Sequence, residues 1–178
     1  MKQFIIGLGN PGEDYQNTRH NVGFLFIDFV IGTNPDIIST EKKFKDSLIF
    51  AYSENVILMK PLTFMNNSGK MVKELVNWFD VRISEELIIV HDDLDIALGS
   101  YKFQSAKSPR DHNGITSIEN HLGTDDFHRL RIGIENRNKQ KIPGEKYVLD
   151  KFRGGEMEIL ETVFTEVSEK NVLKLPDL

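Results

Sequence analysis

Two short apolar runs, Phe4–Leu8 and Leu87–Val90, constrain this chain more than any other feature. Neither alternates with polar residues, so each reads as a buried strand, the second a central one. Both give way at once to chemistry: Gly9-Asn10-Pro11-Gly12 after the first, His91-Asp92-Asp93-Leu94-Asp95 after the second. Helical spacing supplies the cover. Val22–Ile31 has one apolar face and closes on Gly32. Met71, Val72, Leu75, Val76 and Phe79 mark a helix from about Asn66 to Phe79. Ile115, Ile118 and Leu122 mark a third helix stopping at Gly123, and Met157, Leu160, Phe164 and Val167 a last one. Ser47–Tyr52 and Val56–Met59 read as strands around a turn at Ser53-Glu54-Asn55. Gly99–Gln104 and the alternating Leu130, Ile132 and Ile134 read as further strands. Val148, Leu149 and Phe152 suggest a short helix, and Glu135–Gly144 a linker. Strands interleaved with helices predict an α/β layered domain.

At 178 residues the chain reads as one domain, 1–178, large enough for a real core. It has no cysteine, which excludes disulfides, a thiol nucleophile and thiolate metal sites. The N-terminal apolar run is too short for a signal peptide, and no run nears the ~20 residues of a membrane span. These features predict a cytoplasmic, soluble protein.

Gly7-Leu8-Gly9-Asn10-Pro11-Gly12 matches the dinucleotide fingerprint G-x-G-x-x-G. That fingerprint needs a helix starting within the glycines, and Glu13–Asn21 shows no helical period. The segment reads instead as a tight turn leaving Asn10 at the carboxyl end of the first strand. The same long loop ends in Thr18-Arg19-His20-Asn21, where His20 is either a solvated residue or a general base. The acidic segment after Val90 has three readings: ligands for a hard cation, a solvated turn, or a carboxylate orienting a catalytic histidine. Strand alternation points Asp92 and Asp93 in different directions. Asn66 or Asn67, and Asp111 before His112-Asn113-Gly114, are candidate helix caps. Asn10, Asn66 and Asn113 all sit at strand-to-helix junctions, where carboxamides can hold a carbonyl or a water without adding charge. There is no G-x-S-x-G elbow and no H-E-x-x-H spacing.

Together, G-L-G-N-P-G (Gly7–Gly12), Tyr15, T-R-H-N (Thr18–Asn21), K-P-x-T-F-M-N-x-S-G (Lys60–Gly69), H-D-D-L-D (His91–Asp95), H-N-G (His112–Gly114), F-H-R-L-R-I-G-I (Phe127–Ile134) and Tyr147-Val148-Leu149 with Phe152 resemble bacterial peptidyl-tRNA hydrolases. The resemblance implies a single three-layer domain, a mixed central β-sheet flanked by α-helices. It implies hydrolysis of the ester between a peptide and the terminal ribose of tRNA, recycling tRNA from stalled ribosomes, by a monomer without cofactor or metal. On the matching positions His20 would activate water. Asp93 would accept a hydrogen bond from its other ring nitrogen. Asn10, Tyr15, Met65, Asn66 and Asn113 would bind substrate around the scissile bond.

One stretch departs from the family pattern. Ser105-Ala106-Lys107-Ser108-Pro109-Arg110-Asp111 stands where the family usually has a glycine-rich loop, and Gln104 replaces a common basic residue. Two rivals stay open beside the esterase: a non-catalytic RNA-binding relative, and a metal-dependent hydrolase using the acidic segment. The net charge of −5 argues against a nucleic-acid partner only as an average. From Gly99 to Arg153 eleven Lys and Arg face seven acids, a net of +4 that leaves −9 elsewhere. Within that segment the resemblance implies tRNA contacts, expected at Lys102, Lys107, Arg110, Arg129 and Arg131.

Overall fold

Seven strands form one mixed sheet in the order β2-β3-β4-β1-β5-β7-β6. In chain order they are β1 (Gln3–Gly7), β2 (Lys42–Phe44), β3 (Ser47–Ala51), β4 (Val56–Pro61), β5 (Leu87–Ala97), β6 (Tyr101–Ser105) and β7 (His128–Glu135). The four central strands, β4-β1-β5-β7, pair in parallel, and β2, β3 and β6 add antiparallel flanks. The helices are α1 (Val22–Thr33), α2 (Ser68–Phe79), α3 (Ile83–Glu86), α4 (Asn113–Leu122), α5 (Gly144–Tyr147) and α6 (Gly154–Glu169). The computed structural model describes residues 2–33, 42–51, 53, 55–106, 111–138, 140–170 and 173.

Strand alternation divides the interior into two cores. Ile5, Ile88 and Val90 face α1 and α6, packing with Phe26, Val30, Leu160 and Phe164. Phe4, Ile6, Leu87 and Ile89 face α2 and α4, packing with Val72, Leu75, Ile115 and Ile118. Central strands buried on both sides explain why Phe4–Leu8 and Leu87–Val90 lack polar alternation.

Several boundaries differ from the sequence expectation. β5 does not end at Val90; it runs on through the acidic segment to Ala97, pairing His91 with Arg131, Asp92 with Ile132 and Asp93 with Gly133. Polar side chains are tolerated inside a buried strand when they find partners, as both carboxylates and His91 Nδ1 do. α1 passes through Gly32 to Thr33. The short helical turn lies at Gly144–Tyr147, ahead of the expected Val148–Phe152, and Glu135 still belongs to β7. Tyr52 and Glu54 lie outside the described residues.

Glycine is required where α1 meets the sheet. A Cβ on Gly7 would lie 2.3 Å from the Gly23 carbonyl oxygen, and one on Gly23 would lie 2.4 Å from the Val90 oxygen. This close approach brings the start of α1, and the residues just before it, over the carboxyl ends of β1 and β5.

Candidate active site

His20 sits in a 3-10 turn, Arg19–Asn21, that leads directly into α1. Its backbone N–H donates to the Val148 carbonyl (2.7 Å). Its Nδ1 lies 2.8 Å from Asp92 Oδ1. A carboxylate only accepts, so Nδ1 carries the proton and Nε2 keeps its lone pair. Burial disfavours the imidazolium, but the charge and hydrogen bond of Asp92 outweigh it and raise the pKa of His20 above its ordinary value.

A second histidine shares the same oxygen. His112 Nε2 is 2.9 Å from Asp92 Oδ1. His112 is also the N-cap of α4: its Nδ1 accepts the backbone N–H groups of Gly114 (3.2 Å) and Ile115 (3.3 Å). That fixes the tautomer, since Nδ1 must be the acceptor and Nε2–H the donor. Burial would push the Asp92 carboxyl up. The charges of His20 and His112 and their hydrogen bonds hold it far below the usual carboxylate range. His91 lies behind, its Nδ1 donating to the Asp92 carbonyl (2.7 Å) and its ring edge-on to His112. Burial, reinforced by His112, keeps His91 neutral.

The expected partner of His20, Asp93, is therefore corrected to Asp92. Asp92 shares the strand phase of Ile88 and Val90, the face on which α1 packs. Asp93 is in phase with Ile89 on the other face. There its carboxylate takes Arg131 Nε at 2.7 Å and the Asp95 backbone N–H at 2.8 Å. The cap of α4 is likewise His112, not Asp111. His112 was missed because a histidine is an uncommon cap; its place directly before Asn113-Gly114 was the available signal.

Two expected tRNA contacts are also corrected. Arg129 is 0% exposed, its guanidinium bound by the Asp125 and Phe127 carbonyls and by Glu119. Arg131 is 5% exposed and tied to Asp93 and to Gln104 Oε1. Neither presents a guanidinium to a phosphate on the surface. Lys102 is exposed on β6, while Lys107 and Arg110 lie outside the described residues.

Two of the carboxamides are tied to the site: Asn113 lines the cavity with His20, and Asn10 is bonded to Asn21, the next residue. Asn10 is buried, and its backbone exchanges hydrogen bonds with the Asn21 side chain (2.8 and 2.9 Å). Its Oδ1 accepts the Met65 backbone N–H (2.8 Å). With that oxygen committed, the Asn10 amide nitrogen is the group left to donate. Met65 is buried beside it, and a Cβ on Gly114 would strike its sulfur at 2.5 Å. Asn66 is exposed in the middle of the turn Met65–Asn67 before α2, and Asn113 is exposed as the first residue of α4. Tyr15 packs edge-on against the exposed ring of Phe64, with centroids 5.9 Å apart. A cavity of about 400 Å³ opens over His20, Asp92, His112 and Asn113, walled by Leu94, Pro143, Gly144 and Val148. A second of about 570 Å³ runs past Asn10, Asn21, Phe24 and Lys60.

His20, Asp92 and His112 also bring potential ligand atoms within 4.8 Å of one another, close enough to surround a metal ion. Their tautomers do not fit a metal. To ligate through Nε2, His112 would have to carry its proton on Nδ1, against the two N–H groups of α4 that Nδ1 accepts. His20 Nδ1 likewise points its proton, not a lone pair, at Asp92.

The peptidyl-tRNA hydrolase family model matches residues 4–175. A peptidyl-tRNA hydrolase of Mycoplasma capricolum is 42% identical over 169 residues, covering 93% of this chain and 88% of that protein. One of Shouchella clausii is 39% identical over 173 residues, covering 95% and 89%. Among solved structures, the peptidyl-tRNA hydrolase of Acinetobacter baumannii superposes with a TM-score of 0.83 at 31% identity, covering 98% of this chain and 88% of that one.

Proposed function

The chain belongs to the peptidyl-tRNA hydrolase family and hydrolyses the ester of peptidyl-tRNA, and we propose that His20 is the general base of that reaction, oriented by Asp92. The observation that carries this assignment is the His20 Nδ1–Asp92 hydrogen bond at the floor of an open cavity. A water on Nε2 gives its proton to His20 while its oxygen attacks the ester carbonyl carbon. Asp92, buried and ionised, stabilises the imidazolium that forms. Asn10 and Asn113 donate amide hydrogens to the carbonyl oxygen as it gains charge, and Asn66 orients the peptide. Collapse of the tetrahedral intermediate returns the proton from His20 to the departing ribose oxygen. The products are a peptide carboxylate and tRNA with a free terminal hydroxyl. An ester is already activated, so a base worth ~10²–10⁴ suffices beside these donors.

Met65 walls the reacting carbonyl, and the Tyr15–Phe64 pair offers an aromatic surface to the tRNA end or the peptide. Lys102, Lys107 and Arg110 hold the tRNA backbone. The enzyme works as a cytoplasmic monomer without a cofactor; among the described residues no helix is long and apolar enough to cross a membrane. The test compares N-blocked with free aminoacyl-tRNA. Release of tRNA from the blocked substrate alone is expected. Binding without release would favour a non-catalytic RNA-binding protein.

A further inference from the structure

Arg19 is 3% exposed, yet it lies beside His20 in a turn that faces the cavity. Its contacts all go to one distant part of the chain. Nη1 donates to the carbonyls of Asp150 (3.1 Å) and Lys151 (2.9 Å), and Nη2 to Glu156 Oε2 (2.7 Å). The guanidinium lies 4.1 Å from the centre of the Tyr147 ring and 5.2 Å from that of Phe152. The backbones follow the same pairing. Arg19 N–H donates to the Asp150 carbonyl, Phe152 N–H to the Asn17 carbonyl, and Thr18 bridges Lys151. His20 hangs from this turn through Val148, which also walls its cavity. Glu156 is held in turn by the Arg153 backbone N–H (2.8 Å) and Asn136 Nδ2 (2.9 Å) in the first turn of α6.

We propose that Arg19 is a positioning residue for His20, and that Glu156 makes the first turn of α6 part of the same device. This rests on reading His20 as the base. The physical reason is the place of His20: it precedes the first residue of α1, Val22, and the chain before it, from Gly9 to Thr18, holds only a short 3-10 turn at Glu13–Tyr15, so neither a strand nor the body of a helix carries its ring. A planar guanidinium bridging two carbonyls and a carboxylate supplies that rigidity from residues more than 130 positions away, where a lysine, with its single nitrogen, could not hold the same fork. Misplacement of a reacting group by about 1 Å costs ~10²-fold in rate, so a looser His20 should lower kcat with little change in KM.

Arg19→Lys, Glu156→Gln, the double variant and His20→Asn are compared by kcat, KM, thermal melting and NMR titration of the His20 ring. Expected are a fall in kcat of about tenfold in each single variant, KM within about twofold, an altered His20 titration, and a double variant no slower than the slower single one. If the buried Arg19→Lys does not fold, Glu156→Gln, which keeps an acceptor oxygen, carries the test. Wild-type kcat and His20 titration in folded Glu156→Gln, with His20→Asn inactive, would overturn the positioning role and leave the base in place. A rise in KM alone would overturn it too. Turnover by His20→Asn would remove the base, and the positioning role with it.

Discussion

Asp92→Asn is the substitution that separates the observed site from the one expected on resemblance. The wild-type carboxylate accepts from His20 at 2.8 Å and from His112 at 2.9 Å. An asparagine keeps the shape but removes the charge, and its amide can turn a donor toward His20, reversing the tautomer. For unit charges at about 4 Å and an effective dielectric of about 20, the lost attraction is about 4 kcal/mol. Part of that loss falls on His112, because the two histidines share Asp92. The sign follows from the base being active when neutral: activity rises with pH through the His20 pKa. Asp92 holds that pKa up against burial, so in Asp92→Asn burial prevails and the acidic limb of kcat/KM moves to lower pH. Turnover on the plateau should fall by about 10²–10⁴, with KM little changed. The assay is steady-state release of tRNA from N-blocked aminoacyl-tRNA across pH, on variants shown by circular dichroism to be folded. Asp93→Asn is the control. It strips a partner from buried Arg131 and should cost about 3–5 kcal/mol of stability while leaving the limb where it was. An Asp92→Asn enzyme with the wild-type limb, or an Asp93→Asn enzyme with a shifted one, would refute the assignment.

His20→Ala should reduce kcat by about 10²–10⁴ and lower the melting temperature, since it strips a partner from buried Asp92; full turnover by a folded variant would count against it. A transition-metal chelator should leave turnover unaltered, because the His112 tautomer opposes ligation; loss restored by Zn²⁺ would revive the metal reading. Lys102→Ala should raise KM and reduce the slope of log affinity against log salt by about 1, measured by tRNA binding at several salt concentrations. An unchanged slope would take Lys102 off the RNA surface.

Much of the fold was legible because it follows from local pattern. The unbroken apolarity of Phe4–Leu8 and Leu87–Val90 required strands covered on both faces, and the spacing of Met71, Val72, Leu75 and Val76 required the helix that covers one of them. The end of β5 was not legible. Polar residues in a row ordinarily mean a turn, and it is the partners supplied by the turn before α1 (His20), the cap of α4 (His112) and β7 (Arg131) that let Asp92 and Asp93 remain in a buried strand. The basic count of the Gly99–Arg153 segment had the same weakness, because charge is visible in sequence and burial is not. Arg129 and Arg131 hold the molecule together from inside.

The sequence could offer His20 and the three asparagines as candidates because they lie in a polar loop or at strand-to-helix junctions; only the structure shows that His20 and Asn10 are buried there while Asn66 and Asn113 are exposed. Choosing between Asp92 and Asp93 needed the third dimension. Alternation states that neighbours point apart, but not which face carries α1. That is set by packing of α1 on Ile88 and Val90, and by the Gly7–Gly23 approach that brings His20 over the same face. The sequence alone determined which chemical groups the protein possesses and roughly where along its strands and helices they lie. The tertiary structure decided which carboxylate meets which imidazole, since a hydrogen bond between residues 72 positions apart depends on helix packing that no local spacing encodes.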